Sequence, residues 1–441
     1  MSAVGSQREA RRSGRALLAV ACVGLFVTQL DLTVVNVAVT AVREDLNASL
    51  AAGTWVVAAY FVTFAAFMLS FGDIGDLYGR HRVFLGGLVV FTAASVGCAV
   101  APGVGWLIAA RAGQGVAGAA VLVSSLALIV HGFPAGERAR AIGWWSAVAG
   151  LSMVVGPVLG GLLVDGFGWR SVFWINLPIG VVGVLAGYRV LPRVPGVRDR
   201  GLDWAGQVLA VAAIGALAWA LETGWRSPAA LGAFAAAFVG IVVFVRVERR
   251  SGHPLVPMDL FRSVPFAGAN GAALLLNAAT LGLLFLLSLK YTAGLGAAEA
   301  GARIAPLFAA YALVSPFGGR IAARHGPRLP AALGTAVAGA CVLVLPHVGT
   351  LPGVALLVLA GLGIGMALPA IVTTAVGAVP AERGGLGSGL NNTARQIGGT
   401  FGVALLGGVA AAEGVGAALV FDAVAYLLAA LVAVLALPKG T

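Results

Sequence analysis

The chain has 441 residues, of which 60% are hydrophobic and 10% charged, with a mean hydropathy of +0.98. A soluble domain carries about a quarter charged residues, so a water-facing globule is excluded, and so is disorder, whose signature is low hydrophobicity with high charge. The formal charge of +11 sits in short segments between apolar runs, which points to membrane topology rather than to a nucleic-acid partner.

A spanning helix needs roughly 20 apolar residues. Runs of that kind fall, in chain order, near 16–40, 53–71, 83–101, 104–130, 141–164 and 171–190. Two more follow near 205–222 and 229–247, then six near 264–290, 298–319, 329–346, 351–377, 387–411 and 415–437. This predicts an all-α polytopic protein of fourteen spans. Its parts are an N-terminal segment 1–15, a six-helix bundle 16–190, basic linkers 191–263 around two inserted spans, a second six-helix bundle 264–437, and a tail 438–441. With both termini in the cytoplasm, only Arg43, Arg170, Arg226, Lys290 and Arg303 fall at outer ends, and Arg111 and Arg395 fall within spans. Every other Arg or Lys falls on the inner side, as the positive-inside rule requires. Cys22, Cys98 and Cys341 lie in apolar runs, with no spacing that suggests a disulfide framework or a metal site.

The two bundles are related. Gly72, Gly79 and Arg82 match Gly319, Gly326 and Arg328, and Pro134–Arg138 matches Pro380–Arg383, at offsets of 247 and 246 residues. Two unrelated landmarks at nearly one offset indicate a duplicated six-helix unit. The even number of inserted spans keeps both copies in the same orientation, the parallel-repeat arrangement of a large transporter class.

Several segments then resemble one family. Leu30-Asp31 to Val39 is similar to a first-span motif, with Thr40 where a proline is usual. Gly72 to Arg82 resembles a signature loop, Arg111 to Gly115 a fourth-span motif, and Gly150 through Gly156, Pro157, Gly160 and Gly161 a fifth-span antiporter motif. Trp169 to Pro178, Asp203-Trp204 and Asn391 to Gln396 agree with the same pattern. By these residues the chain is identified as a member of the major facilitator superfamily, resembling its fourteen-span drug/proton antiporter branch. Lys290-Tyr291-Thr292 departs from that branch's pattern. The resemblance implies a major-facilitator-like fold, and it places spans 1 and 4 on the N-terminal side of a central cavity.

The residues themselves favour gradient-driven transport. Neither lysine lies in a phosphate-cradling Gly-x-x-x-x-Gly-Lys pattern, so the expectation is a protein without nucleotide chemistry or an ATPase subunit, not an enzyme, and with a proton gradient in place of a cofactor. Asp31 and Arg111 lie at comparable depth, and an embedded carboxylate costs roughly 2.5–3.5 kcal/mol on insertion scales. Asp31 is therefore expected to exchange a proton with the help of Arg111, the alternative being a permanent Asp31–Arg111 or Asp31–Asn36 pair. The repeat offset sets Ala278 and Val358 opposite these two residues, which predicts proton chemistry in the first bundle and substrate contacts in the second.

Gly72, Asp76, Gly79, Arg80 and Arg82 are expected to form a latch, and the resemblance implies that Asp76 faces the start of span 13 at Gly384–Gly389; the alternative is plain positive-inside anchoring. Gly150, Gly156, Pro157, Gly160 and Gly161 are expected to form a hinge or a leak-proof contact with a second-bundle span, or ordinary helix packing. Thr33, Asn36, Gln114, Asn270, Asn277, Lys290, Asn391, Asn392, Arg395, Gln396 and Asp422 are the candidate cavity residues, each alternatively a helix–helix hydrogen bond. The expectation is a monomeric exporter in a bacterial cell membrane, moving small hydrophobic or amphipathic compounds of drug or antibiotic class in exchange for protons. A proton-independent exporter or uniporter and a non-transporting receptor are the rival readings.

Overall fold

The computed structural model describes residues 3–192, 203–223, 228–252, 254, 256–379 and 384–439, all helix, turn or irregular chain with no strand among them. In the first half α1 (Ala3–Asp45), α2 (Leu50–Tyr78), α3 (Arg80–Ala99), α4 (Val104–Gly132) and α5 (Ala135–Phe167) follow one another through short turns. A sixth span is made of α6 (Ser171–Trp174) and α7 (Asn176–Val190), separated only by Ile175. Next come α8 (Trp204–Thr223) and α9 (Pro228–Glu248), and then the second half: α10 (Val264–Thr292), α11 (Ala297–His325), α12 (Arg328–Val344), α13 (Thr350–Gly377), α14 (Gly384–Glu413) and α15 (Val415–Ala436).

Thirteen helices of the described residues are long and apolar enough to cross a membrane. The expected fourteenth, α14, has 30 residues, roughly 45 Å at 1.5 Å per residue. Asn391, Asn392, Arg395, Gln396 and its many glycines dilute its hydropathy. It is not lipid-facing: it packs against α10, α2 and α8, and a helix shielded by neighbours needs no apolar coat. Two further boundaries depart from the sequence-based expectation. Helix α1 begins at Ala3 rather than near Ala16, and α2 runs to Tyr78, seven residues past the apolar run. Backbone hydrogen bonding carries a helix beyond its apolar segment wherever no residue breaks it.

The halves meet along α5–α11, α2–α14 and α1–α10. The inserted pair does not separate them. Helix α8 lies on the α2–α14 seam, where Gln207 Nε2 donates to the Ala66 carbonyl (3.0 Å), Ser70 bonds Gln207, and Val62, Ala218 and Ala404 bury one another. Helix α9 packs on α8 and leaves most of its surface outside. Successive helices alternate in direction, so one end of the bundle gathers Arg80, Arg82, Arg189, Arg246, Arg320 and Arg328, and the opposite end is arginine-poor.

Candidate functional site

The α2–α4 crossing sets up the first site. A Cβ on Gly115 would lie 2.3 Å from the Tyr60 carbonyl oxygen, so only glycine lets these helices come so close. Thr63 Oγ1 donates to the Ala112 carbonyl (2.8 Å) across the same crossing. Arg111, one turn before Gly115, is thereby pressed onto α2: its Nε donates to the Val56 carbonyl (3.0 Å), and its guanidinium lies 4.4 Å from the centre of the Tyr60 ring. Its Nη1 is ion-paired to Asp31 Oδ2 and also donates to Gln114 Oε1 (2.7 Å).

Asp31 Oδ1 accepts from Asn176 Nδ2 (2.8 Å) on α7 and from Gln114 Nε2 (3.3 Å). Ser95 Oγ on α3 accepts from both amides, at 3.3 and 2.7 Å. Asp31, Arg111, Gln114, Ser95 and Asn176 are all buried. Both carboxylate oxygens are thus matched by donors, which is the arrangement an ionised buried carboxyl requires. Protonation of Oδ2 would remove the acceptor that holds Arg111. Asn36 takes no part, since its Nδ2 donates to Leu32 of its own helix (2.8 Å). Sequence reasoning found the Asp31–Arg111 proximity but gave Asn176 and Ser95 no site role. The available signal was a polar residue inside each of the runs 83–101 and 171–190. Asn176→Leu is expected to lower the thermal midpoint, in keeping with the loss of about 0.6–1.7 kcal/mol per membrane hydrogen bond, and to change the pH dependence of transport, both read on the purified protein and its vesicles.

At the arginine-poor end the halves are closed on each other. On α5, Gly156 and Gly160 sit against Thr33 and Val34 of α1. Gly161 faces the other half: a Cβ there would lie 2.3 Å from the Ala297 carbonyl oxygen, and one on Gly301 would lie 2.1 Å from that of Pro157. One turn beyond Gly161, Asp165 accepts from Ala297 N (2.9 Å) and Ala298 N (2.8 Å) and so caps α11 from α5, where the helix dipole favours an anion. Gly150 meets nothing.

Thr40 Oγ1 lies 2.6 Å from Thr292 Oγ1, so one residue from each of the two segments that depart from the family pattern joins α1 to α10. Gly407 of α14 sits on Thr54 of α2 at this end as well. A double-mutant cycle of Thr40→Val and Thr292→Val is expected to return a coupling of about 0.5–1.5 kcal/mol in thermal stability, and zero coupling would mean the hydroxyls do not meet.

At the arginine-rich end, the Gly72–Arg82 segment is helical to Tyr78. The turn is made by Gly79 alone, at φ 93°, a conformation that favours glycine. Gly72 lies inside α2 with open space around it, so the segment expected as a signature loop from Gly72 is helix as far as Tyr78. Arg80 Nη1 lies 2.6 Å from His131 Nδ1 at the end of α4. Arg82 is exposed. The side chain of Asp76 and residues 380–383 lie outside the described residues.

The other candidate residues are spread over the second half. Asn277 and Arg395 line a cavity with Thr280, Phe308, Tyr311 and Met153. Asn277 Nδ2 donates to the Arg395 carbonyl (2.7 Å). Asn270 bonds its own helix at Phe266 and accepts from Asn391 (3.4 Å); Asn392 is half-buried and Gln396 buried. Thr33 is buried between α1 and α5, bonded to the Leu30 carbonyl (3.1 Å). Lys290 is exposed at the end of α10. Asp422 is buried on α15, with neither oxygen bonded among the described residues, at a repeat offset of 246 from Asn176. The same offset sets Asn277, rather than Ala278, opposite Asp31.

Comparison with known proteins agrees with this architecture. The Major Facilitator Superfamily profile matches residues 21–403 and, in a second match, 271–440. The multidrug resistance protein Stp of Mycobacterium tuberculosis (strain CDC 1551 / Oshkosh) is 40% identical over 408 residues, covering 88% of this chain and 74% of that one. The tetracenomycin C resistance and export protein of Streptomyces glaucescens is 34% identical, covering 89% and 74%. The methylenomycin A resistance protein of Bacillus subtilis (strain 168) is 34% identical, covering 97% and 95%. Among solved structures, the peptide transporter POT in complex with sulfate superposes with a TM-score of 0.71 at 14% identity, covering 95% of this chain and 93% of that one, a likeness of fold. The chain is a multi-pass cell-membrane transporter, not an enzyme, and belongs to the major facilitator superfamily.

Proposed function

We propose that the protein exports small hydrophobic or amphipathic compounds of drug or antibiotic class in exchange for protons, by alternating access, with the arginine-rich end in the cytoplasm. The observation that carries this reading is the sealed Asp31–Arg111 cluster. An ion pair at that depth is a costly way to hold helices together, and it sits where an exchange of one proton would loosen α1, α4 and α7 at once. The names of the related resistance and export proteins support the substrate class. In this reading the present state is deprotonated and closed on the outer side, with the α5–α11 and α1–α10 contacts as the outer seal. Protonation of Asp31 from outside would follow separation of those contacts, and release inside would restore the pair and reset the seal. The chain itself binds the substrate, the lipid bilayer and protons, and works as a monomer.

The test is uptake of an amphipathic dye into everted vesicles holding the protein. Acidification of the lumen should drive accumulation, and an uncoupler should abolish it. Accumulation indifferent to the uncoupler would favour a proton-independent exporter, and no flux under any condition a receptor.

A further inference from the structure

The cavity between the halves has apolar walls from Leu307, Phe308, Ile364 and Leu368, with Met153 closing it from α5. Its polar lining is Asn277, Thr280, Tyr311 and Arg395. No carboxylate is among the lining residues, and no carboxylate pairs with Arg395 among the described residues. The Arg395 Nε is buried without a hydrogen-bond acceptor. The other embedded guanidinium, Arg111, is neutralised by Asp31 and walled in by α2. Among the described residues, Arg395 is therefore an embedded cation that lacks an anion, and a guanidinium stays charged in a protein.

Its position is fixed from the backbone outward. Gly398 and Gly402 let α14 lie directly on Leu274 and Ala278 of α10, and the Asn277 amide clamps the Arg395 carbonyl (2.7 Å). A charged donor held in place beside a largely apolar cavity, with the neutral Tyr311 phenol near it and no carboxylate opposite it among the described residues, is half of an ion pair. Its planar fork matches carboxylate-like oxygens. A cationic compound would meet only repulsion there.

In the present closed state the cavity has room for about one water, so a substrate enters it only as the halves part. We propose that this cavity, once widened in the transport cycle, binds substrates with an aromatic or polycyclic body bearing an anionic oxygen group, with Arg395 as the counterion. This rests on the export reading and specifies its substrate class. The probes are fluorescein, at mildly alkaline pH where it is dianionic, and rhodamine 123, a cation on the same xanthene skeleton. Binding is measured by fluorescence polarisation on the full-length protein in detergent, and transport by uptake into proteoliposomes under a pH gradient.

The wild type should bind fluorescein at least about tenfold more tightly than rhodamine 123, the size of one charge-assisted hydrogen bond. Arg395→Met should lose that preference, and Arg395→Lys, which keeps the charge, should retain most of it. Equal or tighter binding of rhodamine 123, binding of neither dye, or an unchanged preference in Arg395→Met overturns the proposal. Should Arg395→Met not fold, the wild-type preference and Arg395→Lys still decide it. Preferential fluorescein binding without uptake upholds the anion site while refuting export. Proton-driven uptake of rhodamine 123 without fluorescein binding upholds export while refuting the anion site.

Discussion

Asp31→Asn is expected to abolish the response of transport to a pH gradient while downhill flux of substrate survives. Asparagine keeps the size of the side chain, and its carbonyl can still accept from Asn176 and Gln114, but it is neutral in every state. Arg111 then has no charge to release and no charge to rejoin. It retains the Val56 carbonyl, Gln114 Oε1 and the Tyr60 face, so the helices stay together. Removing one partner of a buried pair costs roughly 3–5 kcal/mol, and these remaining acceptors should hold the loss toward the lower end. Vesicle uptake with imposed pH gradients of both signs, together with the thermal midpoint in detergent, separates coupling from folding. A variant that folds and still accumulates substrate against its gradient would exclude Asp31 from coupling.

Gly161→Ala is expected to hold the arginine-poor end open. The added Cβ would lie 2.3 Å from the Ala297 carbonyl oxygen and 2.5 Å from Ala298 Cα. Both are backbone atoms that no rotamer change can move aside. The closed state alone suffers this clash, because the α5–α11 contact must part for the end to open. Overpacking of this kind costs roughly 1–3 kcal/mol, which displaces a two-state balance by about 5–150-fold. Spin labels at Phe167 and Ala293, in a background without the native cysteines, would report a longer distance distribution and transport would fall. Gly301→Ala should behave alike, since its Cβ would meet the Pro157 carbonyl, and Gly150→Ala, in open space, should do nothing. Equal distributions in all three variants would reduce the glycine motif to ordinary helix packing.

Much of the architecture is legible in the chain because a membrane imposes simple constraints: apolar length, arginine asymmetry, and a duplicated unit whose landmarks survive. The Asp31–Arg111 contact is legible for the same reason, since two embedded opposite charges at like depth have few other partners. What one sequence does not carry is rotation about each helix axis. Asn176 and Asn270 are both amides in spans, yet one closes the Asp31 cage and the other bonds its own helix. Asp165 looks like a loop acid until α11 is placed against it. Thr40 and the Lys290-Tyr291-Thr292 stretch read as unrelated departures from a pattern, and only the fold brings Thr40 and Thr292 together. The end of α2 is not legible because Asp73 and Asp76 interrupt the apolar run, although charge beyond the bilayer does not break a helix.

Proton exchange by the proposed route requires the Asp31 carboxyl to alternate between ionised and protonated states during turnover. Infrared difference spectroscopy of the reconstituted protein, with substrate added under controlled pH, reads this directly. A protonated-carboxyl stretch is expected to appear in one state, vanish in the other, and be missing from Asp31→Asn. A carboxylate signal that stays constant through substrate addition and pH change would contradict it.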